Sequence, residues 1–97
     1  MKNKPQAATL ANVAGSVSSV VLFAANNQAR TRFVYNDSSA IAYIKFGATA
    51  STSSFTIKLT ADDYFEFPLD GDGVPYQGLV HIIWASATGS ARTTETV

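Results

Sequence analysis

The sequence predicts an all-β fold: a compact antiparallel sandwich, jelly-roll-like or a partly open barrel, of about six to eight short strands. Three observations carry this. Short apolar runs recur at close spacing, separated by clusters of Gly, Pro, Asn, Asp and Ser. Several of those runs alternate with a period of two residues. No segment keeps a 3.6-residue period over successive turns; residues 7–25 come closest, and their valines and serines disfavour a helix.

Residues 1–16 are small and polar, with Pro5 and Gly15, and are expected to form a flexible arm; residues 17–97 are expected to form the sandwich. Lys2 and Lys4 resemble the basic start of a signal peptide. Asn12, Ser16, Ser18 and Ser19 interrupt the apolar stretch that should follow, so none is expected. No stretch reaches the ~20 apolar residues of a membrane-spanning helix.

The first strand is expected over residues 17–25, broken by Asn26, Asn27 and Gln28. The second covers residues 30–35 and the third residues 40–46, where Ile41, Tyr43 and Lys45 take one face and Ala42, Ile44 and Phe46 the other. Asn36, Asp37 and Ser38 between them read as a tight turn, because their short polar side chains bond nearby backbone. Residues 47–54 are a loop of small residues. The fourth strand, residues 55–59, puts Phe55, Ile57 and Leu59 on one face. Ala61, Asp62 and Asp63 turn the chain into a fifth strand, residues 64–67, stopped by Pro68. Asp70-Gly71-Asp72-Gly73-Val74-Pro75 is the strongest loop signal in the chain. Residues 77–85 are almost continuously apolar. This predicts a central strand, either covered on both faces or with one face on the core and the other in an interface. Residues 86–90 are a second small-residue loop, and residues 91–97 a last, threonine-rich strand.

The 97 residues suffice for one domain with a modest core. Hydrophobic residues, at 46%, argue against a disordered chain. Charged residues are only 14%, below the ~25% usual for soluble domains. So few charges favour a protein that hides surface in an oligomer or on a larger assembly. Seven basic and seven acidic residues give zero formal net charge and no basic face, so phosphate-mediated binding of nucleic acid is not expected. The absence of cysteine excludes disulfides and thiolate metal sites.

Side chains capable of chemistry are few. His81 is the only histidine, and its sequence neighbours are apolar; a strand histidine, hydrogen-bonded or facing a neighbouring subunit, is the expectation. Asp70 and Asp72 resemble the start of a calcium loop. Val74 and Pro75 stand where further ligands belong and no glutamate closes the site, so a turn is expected and no metal or other cofactor. No serine lies in Gly-x-Ser-x-Gly, and no Gly-rich phosphate loop is present. Asp62, Asp63 and Glu66 crowd one turn and strand with nothing to mark a cleft, so no enzymatic activity is expected. The aromatic residues are expected mainly in the core and in cross-strand pairs. Tyr64 and Tyr76, which flank the loops, are the candidates for contact with a partner, together with Asp70 and Asp72. Arg30 and Arg32, two apart on one strand, are expected to line a solvent or subunit face.

One ordering of motifs is informative as a whole: Ala29-Arg30-Thr31-Arg32-Phe33-Val34-Tyr35-Asn36-Asp37-Ser38, then Tyr43-Ile44-Lys45-Phe46-Gly47, Ser54-Phe55-Thr56-Ile57-Lys58-Leu59, Asp63-Tyr64-Phe65-Glu66-Phe67-Pro68 and the run from Ile83 to Glu95. Across residues 17–97 this pattern of strands and turns resembles the small β-domains encoded among the structural genes of tailed bacteriophages. The resemblance implies a virion protein, made in the host cytoplasm. Its expected role is capsid decoration: a homo-oligomer, a trimer, that binds and stabilises the lattice of the major capsid protein. The alternatives are a fibre or tail module that holds a host glycan or receptor through loops such as residues 70–75, and, more weakly, a head–tail joining protein.

Overall fold

The computed structural model describes residues 7–97. Eight strands run Ala8–Ala14 (β1), Val20–Phe23 (β2), Thr31–Asp37 (β3), Ala42–Phe46 (β4), Ile57–Leu59 (β5), Tyr64–Glu66 (β6), Val80–Trp84 (β7) and Ser90–Thr96 (β8). They make two four-stranded antiparallel sheets, sheet A in the order β1-β8-β3-β6 and sheet B in the order β2-β7-β4-β5. Strand β1 neighbours β8, β2 neighbours β7, β3 neighbours β6 and β4 neighbours β5. This is the arrangement of one long antiparallel ribbon rolled on itself, the jelly-roll sandwich. Pairings of β3 with β8 and of β4 with β7 complete the sheets.

From residue 17 onward, each apolar run holds a strand; most are shortened at their ends, while β3 runs on to Asp37 and β8 starts one residue early at Ser90. Two elements differ from expectation. Within the segment expected as a flexible arm, residues 8–14 form β1, paired with β8 from Ala8↔Thr96 to Ala14↔Ser90. Residues 1–6 lie outside the described residues. Only Val13 of β1 is half-buried against the core; its other residues are exposed. A strand held by backbone pairing, with little apolar burial, leaves no alternating pattern to read. The second difference concerns Asn36 and Asp37. They are not in a turn but end β3, and residues 38–41 cross to the other sheet, so β3 and β4 do not pair.

The alternation of the central strands builds the core. Val34 of β3, Ala42 and Ile44 of β4, and Val80, Ile82 and Trp84 of β7 are buried between the sheets. Strand β7 is central, with one face on the core and His81 and Ile83 half-buried on the other. A register shift between Val21 and Phe23 bulges β2, and Leu22 and Phe23 are both buried beside it. Phe67 packs edge-on against Phe23, with centroids 5.4 Å apart, and stacks on Phe46 at 4.9 Å.

The inward face of β3 reads Arg32, Val34, Asn36, and its two polar members fasten the two ends of the sandwich. Arg32 is fully buried. Its Nε donates to Glu95 Oε2 at 2.8 Å. Its remaining N–H groups donate to the carbonyls of Tyr76 (3.0 Å), Gly78 (2.7 Å), Ala24 (2.8 Å) and Gln77 (3.4 Å). The guanidinium carbon lies 4.9 Å from the centre of the Phe23 ring. At the other end, Asn36 Nδ2 donates to the carbonyls of Ala40 (2.9 Å), Thr60 (3.0 Å) and Leu59 (3.2 Å), and Asn36 Oδ1 accepts from Trp84 Nε1 at 3.1 Å. Gly89 closes that end. It has φ +62°, and a Cβ there would meet Asp37 O at 2.3 Å.

Two substitutions test these fastenings by urea unfolding. Arg32→Ala takes the cation from Glu95 and one donor from each of four carbonyls, and should lower stability by about 3–5 kcal/mol; Lys at this position should not restore it, since one ammonium cannot span the fork. Asn36→Ala should cost about 2–3 kcal/mol through the unsatisfied Trp84 N–H and carbonyls. The exposed control Lys58→Ala should stay within about 0.5 kcal/mol of the parent. A loss below about 1 kcal/mol for both core variants would contradict the assignment.

Candidate interaction surfaces

The outer face of sheet A gathers side chains that the core does not use. Thr31, Phe33, Tyr35 and Asp37 point outward from β3, since Arg32, Val34 and Asn36 point in. Across the sheet they lie beside Thr96, Thr94, Arg92 and Ser90 of β8, and Phe33 and Tyr35 lie beside Glu66 and Tyr64 of β6. On β1 the same face carries Ala8, Leu10, Asn12 and Ala14. Phe33 and Tyr64 stack, with centroids 5.6 Å apart at 29°. Tyr64 is 62% exposed and Leu10 74%. Arg92 Nε donates to Asp37 Oδ2 at 2.7 Å, a surface pair of small energetic worth.

Tyr35 is held by its neighbours. Its hydroxyl donates to Asp62 Oδ1 at 3.0 Å. The hydrogen bond to the Asp62 carboxylate, more than burial or charge repulsion, raises the phenol above its ordinary pKa. Asp62 itself has φ 60°, a left-handed conformation that Asp tolerates better than most residues.

The outer face of sheet B carries Val21, His81, Ile83, Tyr43, Lys45 and Lys58 in register. The ring of Phe55 packs against Tyr43 at 5.1 Å. Ser19 Oγ lies 2.8 Å from His81 Nδ1 and accepts the Ala50 N–H at 3.0 Å. His81 thus fixes the loop after β4 to the middle of sheet B.

The loops bring together only part of the predicted contact set. Asp70, Asp72 and Tyr76 share the connection from β6 to β7. Asp70 Oδ1 accepts the N–H groups of Asp72 (2.8 Å) and Val74 (3.1 Å), so this carboxylate closes its own turn. Tyr76 stacks on Phe46 with centroids 4.6 Å apart at 10°, and its hydroxyl donates to Leu79 O at 3.1 Å. Beside them an open hollow of about 420 Å³ is lined by Phe46, Pro68, Leu69, Asp70 and Tyr76, among others. Arg30 is half-buried just before β3, its N–H on Thr96 O at 2.7 Å. Arg32 does not line a surface: it is buried, because the parity of β3 turns it toward the core together with Val34. Tyr64 stands apart from the loop residues, on the face of sheet A. Sequence reasoning missed Leu10, Phe33, Tyr35 and Arg92 as a shared surface. The alternation in residues 31–37 held that information, but a buried arginine inverts the usual assignment of faces. Among the described residues, no group of three or more His, Cys, Asp or Glu side chains is placed to hold a metal ion.

The Tyr35 pair gives a pH test. A raised phenol pKa means that the folded state favours the protonated ring. Its contribution is complete below the ordinary value of about 10 and is lost as pH rises through the folded value. Asp62→Gly, which suits the positive φ and removes the acceptor, should move the Tyr35 titration to lower pH when followed by carbon NMR of its ring. An unchanged titration would contradict the role of Asp62.

Comparison of the chain with protein-family models, with curated proteins and with solved structures finds no match.

Proposed function

We propose that this protein is a structural component of a tailed-phage virion, a capsid decoration protein that binds the lattice of the major capsid protein as a homo-oligomer. The observation that supports this reading best is the outer face of sheet A. Phe33, Tyr35, Tyr64, Arg92 and Leu10 lie there together on paired strands. Tyrosine, phenylalanine and arginine are the residue types enriched where proteins meet. The resemblance of residues 17–97 to phage structural domains supplies the class of partner. Jelly rolls serve capsid and lectin domains alike, so the fold does not choose between them.

A second reading has one observation in its favour. The hollow beside Tyr76, with apolar walls from Phe46 and Leu69 and the Asp70 loop at its rim, has the composition of a small-ligand site. It fits a fibre or tail module that holds a host glycan.

Co-sedimentation with expanded capsids lacking the protein distinguishes the two. Saturable binding is expected, and Tyr64→Ala should weaken it by about tenfold or more while shifting the melting temperature by only a few degrees. No binding to capsids, with binding to host cells that soluble sugars compete away, would overturn the decoration reading in favour of the second.

A further inference from the structure

The free edge of sheet A is built for pairing. Ala7 N donates to Val97 O (3.3 Å) and Val97 N to Ala7 O (3.0 Å), so residues 7 and 97 exchange both hydrogen bonds. In an antiparallel ladder such pairs alternate. Thr9, Ala11 and Val13 therefore turn their backbone groups toward β8. Ala8, Leu10, Asn12 and Ala14 turn theirs to the outer edge, where no described strand pairs with β1. The other sheet edges are shorter: β6 and β5 have three residues each, and β2 has four with a bulge. Natural edges are blunted by charge, proline, bulges or short length. Strand β1, Ala-Thr-Leu-Ala-Asn-Val-Ala, has seven residues and none of these devices.

We infer that β1 pairs antiparallel with β1 of a second copy of this chain, about a two-fold axis at Ala11, joining the two A sheets into one continuous sheet. The sequence of β1 is self-complementary in that register. Ala8 meets Ala14 of the second copy and Leu10 meets Asn12, so every outward backbone group finds a partner, about eight hydrogen bonds in all. At the axis Ala11 faces Ala11 in the closely spaced, non-hydrogen-bonded type of pair, where small side chains fit best. Thr9 faces Val13, a cross-strand pair of β-branched residues. No charge falls on either strand. The two Leu10 side chains, the most exposed large apolar groups among the described residues, become diagonal neighbours on the outer face. Such an interface is isologous and closes at two copies, not at the three that the phage resemblance implies.

Sedimentation velocity of the full chain across concentration tests this. The 10.3 kDa chain is expected to run as a dimer. Leu10→Lys and Leu10→Glu, at a side chain that packs on little, should each weaken dimerisation by about tenfold or more through like charges at the axis, with unfolding curves like the parent's. An equimolar mixture of the two variants should recover the dimer, which a folding defect could not produce. A monomer at all concentrations, a trimer, or a dimer indifferent to both variants would overturn the inference.

Discussion

Arg32 is the residue on which the rest of the sandwich depends. Its guanidinium is removed from water, and all five N–H groups are engaged by Glu95 and by four main-chain carbonyls from the segments after β2 and before β7. These are the segments that cross between sheets at this end. Their carbonyls cannot join a strand ladder and would be costly to bury alone. One rigid cation, fixed to the centre of sheet A, answers several of them at once. Glu95 completes the arrangement, since its second oxygen accepts from Asn26 Nδ2 at 3.1 Å and draws in the loop after β2. The burial of this charge is expensive, so its role is to specify one arrangement of the loops more than to add net stability. Asn36 does the same neutrally at the opposite end, tying the crossings after β3 and β5 to Trp84.

The strand content was legible because the core strands follow simple rules. Residues 42–46 and 80–84 alternate or run apolar as buried strands should, and the loop at residues 70–75 declares itself by Asp and Gly. What was not legible has physical causes. Asn36 has the chemistry of a turn residue, and only the tertiary structure reveals that its amide is spent on distant carbonyls. Arg32 has the chemistry of a surface residue, and its burial requires partners from three remote segments. Strand β1 lacks an apolar face because β8 holds it through the backbone. The contact set suffered accordingly: Tyr64 was found by its position near a turn, while Phe33, Tyr35 and Leu10, which share its face, depended on knowing which side of β3 and β1 is inside.

These constraints bear on the proposed function through sheet A. With both ends fastened from its inner side, the sheet offers its outer face and the β1 edge without involving the core. Pairing through β1 would set two such faces side by side, with Leu10 near the centre and the Phe33–Tyr64 stacks on either flank. A surface repeated by a two-fold axis suits a partner that is itself a repeating lattice, and two weak contacts on one rigid body reinforce each other. The hollow beside Tyr76 lies on the loops at the Arg32 end and is independent of this assembly.

Residue-resolved amide exchange of the full chain, followed from dilute to concentrated solution, tests the division between a fixed inner side and an available edge. The amides of β3 should exchange only through global unfolding, and those of Thr9, Ala11 and Val13 should be protected by β8 at every concentration. Leu10 and Asn12 should exchange freely in dilute solution and gain protection as the protein is concentrated. Rapid local exchange within β3, or exchange at Leu10 and Asn12 that ignores concentration, would contradict it.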